Sequence, residues 1–218
     1  MKIQYALLIS CLLLALQATA QQESQAQKIL RQLAENNQAY QSIQADFSFH
    51  YESLQSEQEN TWEGHIKMKG RKYQLQLRQS TVYYDGQTLW NHLHDVNEVN
   101  ISEPLQQENT DILNHPHQIF DIHQMDFKSQ YLGEEQRNNQ QLYKVDLFPK
   151  ELDRDYSRIS LFLEQSPVQI HSARIHGKDG SIYTIEIENL VTNQPVPDST
   201  FVFDESAHPD VEVIDMRF

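Results

Sequence analysis

Ile43-Gln44-Ala45-Asp46-Phe47-Ser48-Phe49-His50-Tyr51 places an apolar or aromatic residue at every second position. Successive side chains of an extended chain point to opposite faces. Ile43, Ala45, Phe47, Phe49 and Tyr51 therefore share one face, and Gln44, Asp46, Ser48 and His50 the other. This is a strand buried on one side, and the same period recurs downstream. Trp62, Gly64, Ile66 and Met68 alternate with Glu63, His65, Lys67 and Lys69; Gly70-Arg71 offers a turn; Tyr73, Leu75 and Leu77 alternate with Gln74, Gln76 and Arg78, which predicts a hairpin with a matching inner face. Asp85-Gly86 predicts a two-residue hairpin turn between strands at 82–84 and 88–90, with a further strand at 96–101. Strands are expected again over 141–148, 157–163, 168–177, 181–190 and 200–203, the third and fourth joined by Gly177-Lys178-Asp179-Gly180. That makes about eleven strands in all.

Working outward, Ala26, Ile29, Leu30, Leu33 and Tyr40 recur at helical spacing, which predicts one amphipathic helix over 23–41. Residues 104–125 break the strand pattern with prolines, Gln, Asn and His. Ile112, Leu113, Ile119, Phe120 and Ile122 within them suggest one or two short helices, a lid or plug. The expected fold is mainly β, of the α+β kind: a curved, partly closed sheet whose apolar face is capped by helices. Its aromatic and aliphatic weight lies in Phe47, Phe49, Trp62, Ile66, Met68, Tyr73, Leu75, Leu77, Tyr84 and Trp90. Such a face is either ordinary core or a cavity for an apolar ligand, since small-ligand sites often occupy barrel mouths.

The first twenty residues read as a cleavable secretory signal: Lys2, an apolar run from Tyr5 to Leu16, then Ala18 and Ala20 at the expected cleavage site. The run is shorter than the roughly 20 residues of a membrane-spanning helix. Residues 21–218 are then expected to form one mature domain, exported to the periplasm. Cys11 is the single cysteine. Leu8-Ile9-Ser10-Cys11 loosely fits a lipidation box, but Leu12 to Leu16 continue the apolar core beyond it, so plain cleavage is the favoured reading. Cleavage would leave the mature chain without a thiol, disulfide or cysteine metal site. The net charge of −14 disfavours nucleic acid and anionic headgroups as partners.

The strong catalytic motifs are absent: there is no phosphate loop, nucleophile elbow or His-Glu-x-x-His. His92 and His94 share a strand face and could offer two nitrogens to a zinc ion. His115 and His117 flank Pro116. Without a third ligand at a readable spacing, polar strand and loop histidines are the better reading. Glu151, Asp153 and Asp155 lack the glycine and terminal glutamate of a calcium loop and read as a solvated turn. Glu212 and Asp215 read as surface ends of a last strand. No catalytic residue, metal ligand or cofactor is assigned, and the chain is not expected to be an enzyme.

Five stretches carry a resemblance: Tyr40 to Phe47 after the first helix, Gly64 to Tyr73, Tyr84-Asp85-Gly86-Gln87-Thr88-Leu89-Trp90, Asn97-Glu98-Val99, and the closing Pro209 to Arg217. In this order, behind a signal, they resemble the LolA family of outer-membrane lipoprotein carriers, and especially a divergent branch of it. The resemblance implies an unclosed antiparallel barrel whose concave apolar face is covered by helices. It also implies a function: accepting lipoproteins by their acyl chains from an inner-membrane ABC transporter and delivering them to an outer-membrane acceptor. A monomer is expected. A sensing or binding module on the same fold is the alternative. Family members have Arg-Pro before an aromatic residue, with the arginine latching the lid. Here Lys69-Gly70 precedes Tyr73, which leaves Lys69 or Arg71 as the candidate latch, with a hairpin-end charge as the equal alternative for either.

Overall fold

The computed structural model describes residues 25–53, 55–56, 58–103 and 116–217. The expected signal, Cys11, Ile112, Leu113 and His115 lie outside them. Residues 25–39 form helix α1. It buries Ala26, Ile29 and Leu33, positions three and four apart that fall on one stripe of an α-helix. The period then changes from helical to two at Ile43, where the sheet begins.

Twelve strands make up the rest of the framework: β1 Ile43–Ser53, β2 Gln58–Lys69, β3 Lys72–Leu77, β4 Ser80–Tyr84, β5 Leu89–Leu93, β6 Glu98–Ser102, β7 Phe127–Arg137, β8 Gln140–Pro149, β9 Tyr156–Gln165, β10 Val168–Gly177, β11 Ser181–Thr192 and β12 Glu212–Asp215. They make one sheet in the order β12-β6-β5-β4-β3-β2-β1-β11-β10-β9-β8-β7. The two ends, β7 and β12, do not pair with each other, so the barrel is unclosed. A 3₁₀ segment, Pro116–Gln124, interrupts the strands between β6 and β7. Together with α1 it lies on the inner face: Ile119, Phe120 and Ile122 are buried in one apolar cluster with Ala26, Ile29 and Leu33 and the inward residues of most strands.

Four local expectations are corrected. The Asp85-Gly86 turn is a four-residue loop, because β4 ends at Tyr84 and β5 starts at Leu89. Asp85 Oδ1 accepts hydrogen bonds from the backbone N–H of Gln87 and Thr88, and Gly86 takes a positive φ of 101°, so the side chain closes a wider turn than two residues could. Residues 200–203 are not a strand; Asp198–Phe201 is a 3₁₀ turn. β7 has no counterpart among the expected strands. Its alternation is broken by a bulge between Tyr131 and Gly133, where Gly133 has φ 104° and the extra residue reverses the facing of the later positions in the strand. Finally, β12 pairs with β6 in parallel, whereas every other pairing is antiparallel.

The sheet is covered on its other face too. After β11 the chain crosses the outer face of β3 to β6 and buries Val196, Phe201 and Phe203 there. Phe203 packs on His92 and Tyr83, and Val99 and Ile101, buried on the same face as His92, stand outside the inner cluster. Strands β4 to β6 are thus sandwiched between an inner core and an outer cap.

Candidate functional site

The inner face brings together most of the residues singled out as an apolar ligand face. Phe47, Ile66, Met68, Tyr73, Leu75 and Tyr84 are buried in a single cluster, and Phe49 and Leu77 pack at its margin. Their register explains why: Ala45 pairs with Ile66, Phe47 with Gly64 and Phe49 with Trp62 across β1 and β2, while Leu75 and Tyr73 face Ile66 and Met68 across β2 and β3. Gly64 has a specific role. A Cβ built there would come within 2.4 Å of Phe47 Cζ, so the phenyl ring lies flat over the glycine of the neighbouring strand.

The covering layer is tied to this face by ring contacts and amide bonds. Tyr73 packs against Tyr84 with ring centroids 5.4 Å apart and stacks on His117 of the 3₁₀ segment at 4.0 Å and 24°. Asn37 Nδ2 donates to the Phe120 carbonyl at 2.8 Å, joining α1 to the 3₁₀ segment, and Asn36 Nδ2 donates to the Val168 carbonyl at 2.9 Å, joining α1 to β10.

Among the described residues, cover is incomplete at an aromatic rim and along a groove. At one end of β1, Phe49 meets Trp62 at 5.7 Å and Tyr183 at 5.9 Å, and Tyr51 meets Tyr183 at 5.1 Å. Trp62 remains 39% exposed, leaving an aromatic rim open to water. Along α1, a groove of about 510 Å³ opens between the helix, the 3₁₀ segment and the start of β7. Its floor of Leu30, Ile122, Met125, Phe127 and Leu147 belongs to the inner core or packs directly on it. Tyr51, Tyr183 and the groove are not among the ligand-face residues read from the sequence. The two tyrosines follow the inward alternation of β1 and β11, a signal that was there to use; the groove is created by the meeting of distant segments and leaves none.

Trp90 does not join this face. It pairs with Tyr83 and Ile101, on the outer side, whereas Leu89 pairs with the inward Tyr84. The two expected latch residues also separate. Lys69 Nζ donates to the Val196 carbonyl at 3.1 Å and to Asp198 at 2.8 Å, and Lys72 grips the other oxygen of Asp198 at 2.8 Å. These hydrogen bonds and charges hold the Asp198 carboxyl down at about 2. Lys69 thus fastens the outer cap. Arg71 is exposed at the hairpin tip.

His92 and His94 point to the same side with ring centroids 5.0 Å apart, and His208 lies 5.0 Å from His92. His94 Nε2 is engaged by Thr81 Oγ1 at 3.0 Å, and His208 Nδ1 lies 3.0 Å from the Asp204 carbonyl. His92 packs on Phe203, and its burial pulls its pKa below the usual histidine value. Among the described residues no group of three or more His, Cys, Asp or Glu is arranged to hold a metal ion. Glu151 pairs with Arg154, and Lys178 reaches across to the Leu152 carbonyl, which fixes the 150–155 turn. Asp215 of β12 pairs with Arg217. Among the described residues no helix is long and apolar enough to cross a membrane.

An apolar sheet face beneath a covering layer is suited to sheltering hydrocarbon. Several solved structures are similar to it. An uncharacterized conserved protein from Thermus thermophilus superposes with a TM-score of 0.58 at 11% identity, over 88% of this chain and 99% of that chain. LprF from Mycobacterium bovis gives 0.49 at 12%, over 80% and 95%. A LolA superfamily protein from Nitrosomonas europaea gives 0.42 at 15%, over 82% and 97%. No curated protein matches the sequence. The family model described as outer membrane lipoprotein carrier protein LolA matches residues 38–204, which run from the end of α1 through β11 to the outer cap. The chain belongs to the LolA family.

Proposed function

We propose that this chain is a periplasmic carrier. It shelters the acyl chains of lipoproteins released from the inner membrane by an ABC transporter and hands them to an acceptor at the outer membrane. The observation that carries the reading is the layer on the inner face: α1 and the 3₁₀ segment occupy the surface where hydrocarbon would lie, and the aromatic rim and the groove open onto its margins.

The energies allow exchange. Withdrawing a sixteen-carbon chain from water is worth roughly 12 kcal/mol at about 0.8 kcal/mol per CH₂. Moving the 3₁₀ segment aside exposes Ile119, Phe120 and Ile122, at about 1.5–3 kcal/mol each, so roughly 5–9 kcal/mol opposes uptake of the first chain. Net binding is favourable yet well below the full transfer energy. A ligand held this way can be released when the segment closes again.

Brominated acyl chains test the reading, because bromine quenches nearby tryptophan. Trp62 stands on the inner rim and Trp90 on the outer face, so Trp90→Phe and Trp62→Phe proteins isolate each signal. Brominated chains are expected to quench Trp62 strongly and Trp90 weakly. A parallel assay asks whether the protein keeps a purified triacylated lipoprotein in the supernatant after centrifugation. A folded protein that shows neither Trp62 quenching nor solubilised cargo refutes the proposal.

A further inference from the structure

The groove beside α1 has a charge character opposite to that of the whole protein. The chain carries 31 acidic and 17 basic residues, yet the groove is lined by Arg31, Lys128 and Lys150 and by no carboxylate. Lys150 is paired at the rim with Asp126, 2.6 Å away. Arg31, on α1, and Lys128, on β7, have no acidic partner among the described residues. Two elements that are remote in sequence thus each bring a cation, unpaired among the described residues, to one apolar trough.

A neutral hydrocarbon would use only the floor of such a site. A headgroup with one negative charge would use both parts, because a guanidinium presents a planar fork suited to carboxylate or phosphate while an ammonium adds a movable point charge. The volume of about 510 Å³ falls within the roughly 300–1,000 Å³ of small-ligand sites.

We infer that the groove binds an anionic amphiphile. One acyl chain lies on Leu30, Ile122, Met125, Phe127 and Leu147, and a carboxylate or phosphate head sits between Arg31 and Lys128. This rests on the acyl-binding reading above and narrows it, since charge as well as chain then selects the ligand.

Isothermal titration of the purified chain tests it with four probes below their micelle concentrations: palmitate, palmitoyl-lysophosphatidylglycerol, uncharged monopalmitin and inorganic phosphate. At least one anionic amphiphile should bind tenfold or more tightly than monopalmitin at low salt; comparing the two tells carboxylate from phosphate heads. Added sodium chloride should shrink the preference, because exposed charges are screened. The double variant Arg31→Gln/Lys128→Gln, checked for an unchanged thermal midpoint, should lose the preference and keep its monopalmitin affinity. Equal affinities for charged and uncharged lipids, an unaltered preference in the double variant, or phosphate alone binding as tightly as the lipids would each overturn the inference. Where monopalmitin binds but charge makes no difference, the inference falls and the acyl reading stands. Where no amphiphile binds the folded protein, both fall.

Discussion

Replacing Gly64 by alanine tests the packing of the inner face at its tightest point. The new Cβ would stand 2.4 Å from Phe47 Cζ and 2.9 Å from both Cε atoms, where ordinary contact begins near 3.4 Å. Phe47 is only 4% exposed, so its ring cannot swing into water and must push into the core. Overpacking of this kind costs about 1–3 kcal/mol. Losing glycine's freedom in the unfolded chain returns about 0.4–1 kcal/mol, leaving a net destabilisation of roughly 0.5–2 kcal/mol. Phe47→Leu removes the ring carbons responsible. In that background Gly64→Ala should be neutral or stabilising by up to about 1 kcal/mol. Urea unfolding monitored by circular dichroism, on the two single variants and the double, gives the coupling directly; about 1–2 kcal/mol is expected, within the range for contacting residues. Additivity within about 0.5 kcal/mol would show that the ring does not lie over Gly64.

Other tests address the covering layers. The Asp198 carboxyl, held at about 2 by Lys69 and Lys72, favours the docked outer cap fully above its ordinary value of 3.8 and loses that contribution as pH falls through about 2. Trp90 fluorescence in a Trp62→Phe protein should report loosening of the cap over this window, and Asp198→Asn should abolish the pH dependence. His92 titrates below its ordinary 6.5 chiefly because burial opposes its charge. Its contribution to stability is thus complete above 6.5 and declines as pH falls below it. The thermal midpoint should drop between pH 7 and 5.5, and less so in His92→Phe; equal slopes would refute the role. Asn37→Ala removes the bond to the Phe120 carbonyl, worth about 0.5–1.5 kcal/mol. Amide exchange should then accelerate at 116–124 and remain unchanged in β8 and β9.

The sheet was legible where one face is buried and the other wet. Ile43 to Tyr51 and Tyr73 to Leu77 announce their facing by alternation. The signal failed where both faces are covered: Tyr83-Tyr84 and Leu89-Trp90 are apolar throughout, because the inner core takes Tyr84 and Leu89 while the outer cap shields Tyr83 and Trp90. Aromatic weight alone therefore put Trp90 on the wrong side. Thr200-Phe201-Val202-Phe203 imitates a strand for a related reason; its two phenylalanines are buried against the outer face from an irregular segment. The parallel β12 and the cations of the groove depend on contacts between segments far apart in the chain, which leave no local pattern.

The two covers differ in a way that bears on which can move. The outer cap is fastened by two lysines sharing one carboxylate, by a Lys69 bond to the Val196 carbonyl, and by the edge pairing of β12 with β6. Lifting it would separate these partly exposed ion pairs, each worth little in water, and open a strand ladder. On the inner side, the bonds that α1 makes to the 3₁₀ segment and to β10 through Asn36 and Asn37 are neutral amide bonds, and 3₁₀ geometry is itself weakly hydrogen-bonded. Burial of hydrocarbon contributes to holding that cover, and an incoming acyl chain would supply the same kind of stabilisation in its place. On the proposed function, the apolar part of the inner cover's stabilisation is what a ligand's hydrocarbon would replace, whereas an acyl chain can replace neither the ion pairs nor the strand pairing of the outer cap. On that proposal ligand would enter on the inner face, by way of the aromatic rim at Trp62 or the groove at Arg31.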